Sequence, residues 1–138
     1  MARHQPLRLH ADDPGEQSNS TLIVTPLLKG RFVRIDQSWT QGADAHEGSL
    51  LIGYDPNTNH ASIHWIDSFH NGRRVMPLTG SVTREGTIDV RGTYPAPPGP
   101  DWGWRIQIQP AAELSIVMYN LNPEGKEDLA VRAVHRRG

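Results

Sequence analysis

The chain contains no cysteine. Without a thiol there is no disulfide framework, no thiolate-ligated zinc or iron–sulfur cluster and no cysteine nucleophile, which removes several enzyme classes at once. An excess of charge of either sign is also missing: 14 Lys and Arg stand against 15 Asp and Glu, for a formal net charge of -1. Such a chain has no global field to draw it to nucleic acid or anionic lipid. The basic clusters Arg73-Arg74 and His135-Arg136-Arg137 are short enough to read as solvated ends. No apolar run approaches the ~18 residues of a membrane span, and the opening MARHQPLRLHADDPGEQSNS has no apolar stretch of the signal-peptide kind. A soluble cytoplasmic protein is expected. Nucleophile elbows of the G-x-S-x-G type and glycine loops leading into a helix are absent as well, so serine hydrolysis and phosphate cradling have no support.

What the chain does have is regular punctuation. Turn signals recur about every ten residues, at Asp13-Pro14-Gly15, Lys29-Gly30, Gly42 to His46, Asp55-Pro56-Asn57, Asn71-Gly72, Glu85-Gly86, Pro97-Pro98-Gly99-Pro100, Pro110 to Ala112 and Pro123-Glu124-Gly125. Between them lie short runs rich in β-branched and aromatic residues, the pattern of an all-β sandwich or barrel. Candidate strands fall near 4–10, 19–28, 31–40, 47–54, 60–69, 73–79, 80–84, 87–94, 101–109 and 113–121, with an eleventh near 126–136. In the last of these, helical spacing would set Glu127 and Asp128 beside the apolar stripe, so strand is preferred. Short connections demand antiparallel neighbours, and so many strands in 138 residues lose their edges best by closing on themselves. The expected fold is a single-domain antiparallel up-and-down β-barrel of about ten strands spanning 1–138, enclosing a cavity and either closed or left with a gap at its first strand.

Period-two alternation sorts the faces. Val33, Ile35 and Trp39, Leu50, Ile52 and Tyr54, Ile88, Val90 and Tyr94, and Trp102, Trp104, Ile106 and Ile108 each form an apolar side. In HWIDSFH, the residues Ala61, Ile63, Trp65, Asp67 and Phe69 share one face, which sets a carboxylate among apolar neighbours. Gln37, Glu127 and His135 sort inward too, and Met118 and Asn120 are placed inside on strand 113–121. A buried carboxylate costs several kcal/mol unless it is partnered, so Asp67 needs a hydrogen bond, a cation, water or a ligand. Either a structural partner or a ligand meets that need.

The blocks GRFVRIDQSWT, EGSLLIGYDP, HWIDSFHNGRRVM, PPGPDWGWRI and VMYNLNPEGKEDLAV, over roughly residues 19–136, resemble the bacterial proteins grouped as domain-of-unknown-function family 1579. Residues 1–18 match poorly. The resemblance implies a lipocalin-like, calycin-type barrel and no established activity.

The function expected is binding of a small apolar or amphipathic molecule in the barrel lumen. Trp39, Trp65 and Trp104 would supply aromatic walls, Met118 an adaptable one, and Asp67 and Asn120 the orienting hydrogen bonds. No cofactor and no metal is expected: His60 and His64 share a face but lie roughly 13 Å apart at about 3.3 Å per residue, too far to chelate. Two alternatives stay open. One is an enzyme using Asp67 or Glu127 as acid or base in the same cavity. The other is a barrel with a filled core that works through an interface, for which exposed Ile66 beside Ser68 and His70 on the outer face suggests a covered surface and a homodimer.

Overall fold

In the computed structural model, which describes residues 4–9 and 19–136, ten antiparallel strands follow one another around a ring. They are β1 His4–Leu9, β2 Asn19–Leu27, β3 Phe32–Gln41, β4 Asp44–Asp55, β5 His60–Asp67, β6 Met76–Val82, β7 Ile88–Tyr94, β8 Trp102–Pro110, β9 Glu113–Leu121 and β10 Glu127–Arg136. Strands β2 to β10 form a curled meander in which each pairs with the next. The strand β1 pairs with β2 over five residues and with β10 only at Arg8↔Val134 and Leu9↔Ala133, so the ring closes on a thin seam. The expected turn at Asp13-Pro14-Gly15 and the basic residue Arg137 lie outside the described residues.

Two expected elements are corrected. The separate strands near 73–79 and 80–84 are one strand, β6, that runs through Gly80. A Cβ at that glycine would stand 2.0 Å from the carbonyl oxygen of Asp89, so the bare backbone is what lets β6 and β7 pair there. In β10 the alternation breaks. Leu129 pairs with Tyr119 and Val131 with Met118, leaving Ala130 as an extra bulged residue. One added residue sends everything before it to the opposite face. His135 is therefore buried inside as expected, whereas Glu127, expected inside, sits on the outer surface.

There Glu127 joins a clip. Arg105 on β8 reaches Asp89 on β7 through Nε and Nη2 at 2.9 and 2.7 Å, and Glu127 on β10 through Nη1 at 2.9 Å. On the way its guanidinium lies 5.7 Å from the centre of the Tyr119 ring on β9. Four strands are thus tied by one side chain. The hydrogen bond from Arg105 holds the Asp89 carboxyl below its ordinary pKa, against burial that pushes the other way.

The core fills the middle of the ring. Leu22, Leu50, Ile63, Trp65, Leu78, Ile106, Ile116 and Met118 are all buried and belong to one apolar cluster. The expectation of one continuous lumen is corrected accordingly: side chains occupy mid-height, and space remains toward the two ends. At one end Val33, Ile35, Ile52, Ile108, Leu114 and His135 line a cavity of about 630 Å³. At the other end, where β5 and β7 finish and β6 and β8 begin, a second cavity of about 390 Å³ opens beside Trp65 and Trp104.

Candidate functional site

The second cavity owes its shape to the end of β5. The strand stops at Asp67, and the chain turns back through Ser68 to Val75 before β6 starts. Asp residues favour such turns because a short carboxylate reaches backbone N–H groups a few residues on. Asp67 does this three times with one oxygen: Oδ1 accepts from the N–H of Phe69 at 3.2 Å, of His70 at 2.6 Å and of Asn71 at 3.1 Å. Its Oδ2 accepts from Nδ1 of His70 at 2.6 Å. The Asn71 amide closes the turn by donating to the carbonyl of Trp65 at 3.2 Å. Space for the Asp67 side chain comes from its β4 partner Gly48, where a Cβ would lie 2.8 Å from that of Asp67.

Burial by itself raises the Asp67 pKa, since it disfavours charge. The hydrogen bond from the His70 ring, the His70 N–H, the attraction of the imidazole and the Asn71 N–H together outweigh it, so the carboxyl is held below its ordinary value. An ionised carboxylate only accepts. The His70 Nδ1 therefore carries the proton in this bond, and Nε2 on the far side of the ring is left for other partners.

His70 was expected on the outer face with Ser68. It is instead turned over the barrel mouth, because strand alternation ends with β5 at Asp67. Its ring lies 5.4 Å from Trp65 and 5.6 Å from Trp104, centre to centre. Phe69, sorted inward by the same alternation, is half exposed and packs edge-on to His70 at 4.5 Å and to His46 at 4.6 Å. Trp65 and Trp104 come from β5 and β8, which are not neighbours in the ring, and stack with centres 5.3 Å apart and planes 20° from parallel. Aromatic pairs in that range gain about 0.5–1.5 kcal/mol beyond their burial. Both indoles are buried, and neither Nε1–H has a hydrogen-bond partner.

The six residues singled out from the sequence divide. Trp65 and Trp104 wall the 390 Å³ cavity. Met118 lies beneath in the packed core, 1 % exposed. Asn120, half-buried, accepts a 2.6 Å hydrogen bond from the Tyr94 hydroxyl, and Tyr94 itself lines the cavity. Trp39 stands apart, half-buried against His46 with ring centres 5.6 Å apart. Asp67 is spent on its own loop and meets the cavity through His70. Sequence reasoning missed His70, Arg74, Met76 and Tyr94 as lining residues. The run Asp67 to Gly72, an Asp followed by Asn-Gly, is the turn signature from which the position of His70 could have been read.

Glu127 and Asp67 do not meet, so no carboxylate pair forms: each is committed to its own partner, Arg105 and His70. Among the described residues no group of three or more His, Cys, Asp or Glu converges as metal ligands, and no helix is long and apolar enough to cross a membrane. On the outside, an open groove of about 740 Å³ runs past Asp36, Ser49, Ser68 and the exposed Ile66 and Val75.

Fold and site define a small antiparallel β-barrel with a packed middle and an aromatic-walled cavity at one mouth. The sequence profile of the protein family of unknown function DUF1579 matches residues 6–137, and the chain belongs to that family. The match reaches further toward the start than the motifs alone indicated, and takes in most of β1. No curated protein matches the chain.

Proposed function

We propose that this barrel binds a small, partly apolar molecule in the cavity of about 390 Å³ beside Trp65 and Trp104. The observation that carries this is the pair of stacked, buried indoles whose N–H groups have no partner. A buried donor left unsatisfied costs about 1–3 kcal/mol, and a ligand acceptor placed there recovers it. The surroundings fit an amphipathic guest: Met76, Pro77 and the indole faces are apolar, while His70 and Asn71 offer polar atoms at the turn. Asp67 acts through His70 by fixing the ring, and Asn120 acts through Tyr94 in the same way. We place such a carrier in the cytoplasm.

Native mass spectrometry of the chain purified from its own host tests this. One retained small molecule per chain is expected, with retention reduced in Trp104→Phe, which keeps an aromatic wall but removes one donor. A bare mass in the native protein, with no small aromatic probe changing its tryptophan emission, contradicts the proposal.

A second reading has one specific observation behind it. A buried carboxylate that fixes an imidazole, as Asp67 does His70, is the arrangement of a general base. A carrier returns its guest unchanged, whereas an enzyme returns a different mass, so the same spectrometer separates the two.

A further inference from the structure

We infer that the ligand of this cavity is an organic anion with a flat apolar body, a carboxylate in the simplest case, held by donors supplied from Trp65, Trp104 and Arg74. The inference rests on the binding proposed above and adds the chemical class. It follows from which hydrogen-bonding atoms remain after the internal bonds are subtracted. Indole and guanidinium groups only donate. Trp65 and Trp104 each offer an N–H with no partner inside the protein. Arg74 lines the same cavity, and among the described residues its side chain makes no ion pair or hydrogen bond. His70 has Nδ1 committed to Asp67, so its Nε2 is the ring atom left over, and in the neutral ring that atom accepts.

The charged acceptor at this turn is already in use. Asp67 has both its oxygens taken, by its own loop and by His70. Asn71 has given its amide N–H to the Trp65 carbonyl, and the Tyr94 hydroxyl donates to Asn120. No Asp or Glu side chain lines the cavity. In charge, Arg74 is the one Lys or Arg side chain that lines the cavity. A neutral guest would leave that guanidinium and two donors poorly matched. A carboxylate meets all of them, with its two oxygens toward the donors and its flat body against the stacked indoles.

The test uses the full chain and paired probes that share a body: 2-naphthoate against 2-naphthamide, and indole-3-acetate against its amide, titrated by calorimetry. Each carboxylate is expected to bind about tenfold tighter than its amide, the ratio that one charge-assisted hydrogen bond supplies. Arg74→Gln, a change at an exposed side chain that leaves the core untouched, is expected to remove most of that preference while the amides bind as before. Equal affinity for acid and amide overturns the inference and leaves the binding proposal standing. A preference that persists in Arg74→Gln overturns the assignment of the anion to this mouth. Failure of all four probes to bind at millimolar concentration overturns both.

Discussion

Replacing Asp67 by alanine probes the element on which the site is built. The side chain is fully shielded from solvent, and the substitution strips the acceptor from three backbone N–H groups and from the His70 ring in one step. Phe69 and His70 are themselves exposed, so water can reach part of the turn, and each lost bond is set at about 1 kcal/mol instead of the full desolvation penalty. Four such bonds give a destabilisation of about 3–4 kcal/mol, which in a chain of this size lowers Tm by about 10 °C or more. Asp67→Asn keeps an oxygen for the three N–H groups and loses only the charged bond to His70, for about 1–2 kcal/mol. The order Ala worse than Asn worse than the parent is therefore expected from urea unfolding at neutral pH.

The pH dependence has a definite sign. The folded pKa of Asp67 is depressed below 3.8, so its contribution is fully present above that value and fades as pH falls through the lower, folded one. The gap between the parent and Asp67→Asn should hold steady above about pH 5 and narrow in acid. A loss below about 0.5 kcal/mol for Asp67→Ala, or a gap that widens in acid, refutes the assignment of Asp67 as the tie of the β5–β6 turn.

Three further outcomes are expected. Gly80→Ala forces a methyl to within 2.0 Å of the Asp89 carbonyl, so β6 and β7 must separate and the variant should lose about 3 kcal/mol or more, read from denaturant midpoints; near-parental stability contradicts the close approach. Arg105→Met unties Asp89 and Glu127 and should cost about 1–2 kcal/mol, with the parent's advantage shrinking in high salt because these groups are only partly buried. Met118→Ala should cost about 2–4 kcal/mol as a core cavity, with little change in the affinity of any probe that binds at the mouth.

Most of the strands and most of the inward set were legible because they rest on period two, which a sequence displays directly, although Tyr54 at the end of β4 is exposed. The choice of the Met118 and Asn120 face and the strand assignment of β10 hold for that reason. Ala130 is different. A bulge adds one residue without any side-chain signature, so alternation carried through it placed Glu127 on the wrong face. The same limit hid His70: alternation predicts a side chain's direction only while the strand lasts, and β5 ends at Asp67. A carboxylate among aromatics marked the right region, but its partner lay in the turn beyond. Arg74, read as part of a solvated pair, gains its place at the mouth from the path of that turn.

The chain has four tryptophans, and nitrogen-15 NMR reads each indole N–H as a separate probe once single Trp→Phe variants assign the signals. Titration with 2-naphthoate or 2-naphthamide is expected to move the signals of Trp65 and Trp104 furthest and to slow their exchange with solvent, with Trp39 little changed. Signals of Trp65 and Trp104 that stay fixed at saturating probe, or movement confined to Trp39, would place any binding elsewhere and contradict a ligand held at this mouth.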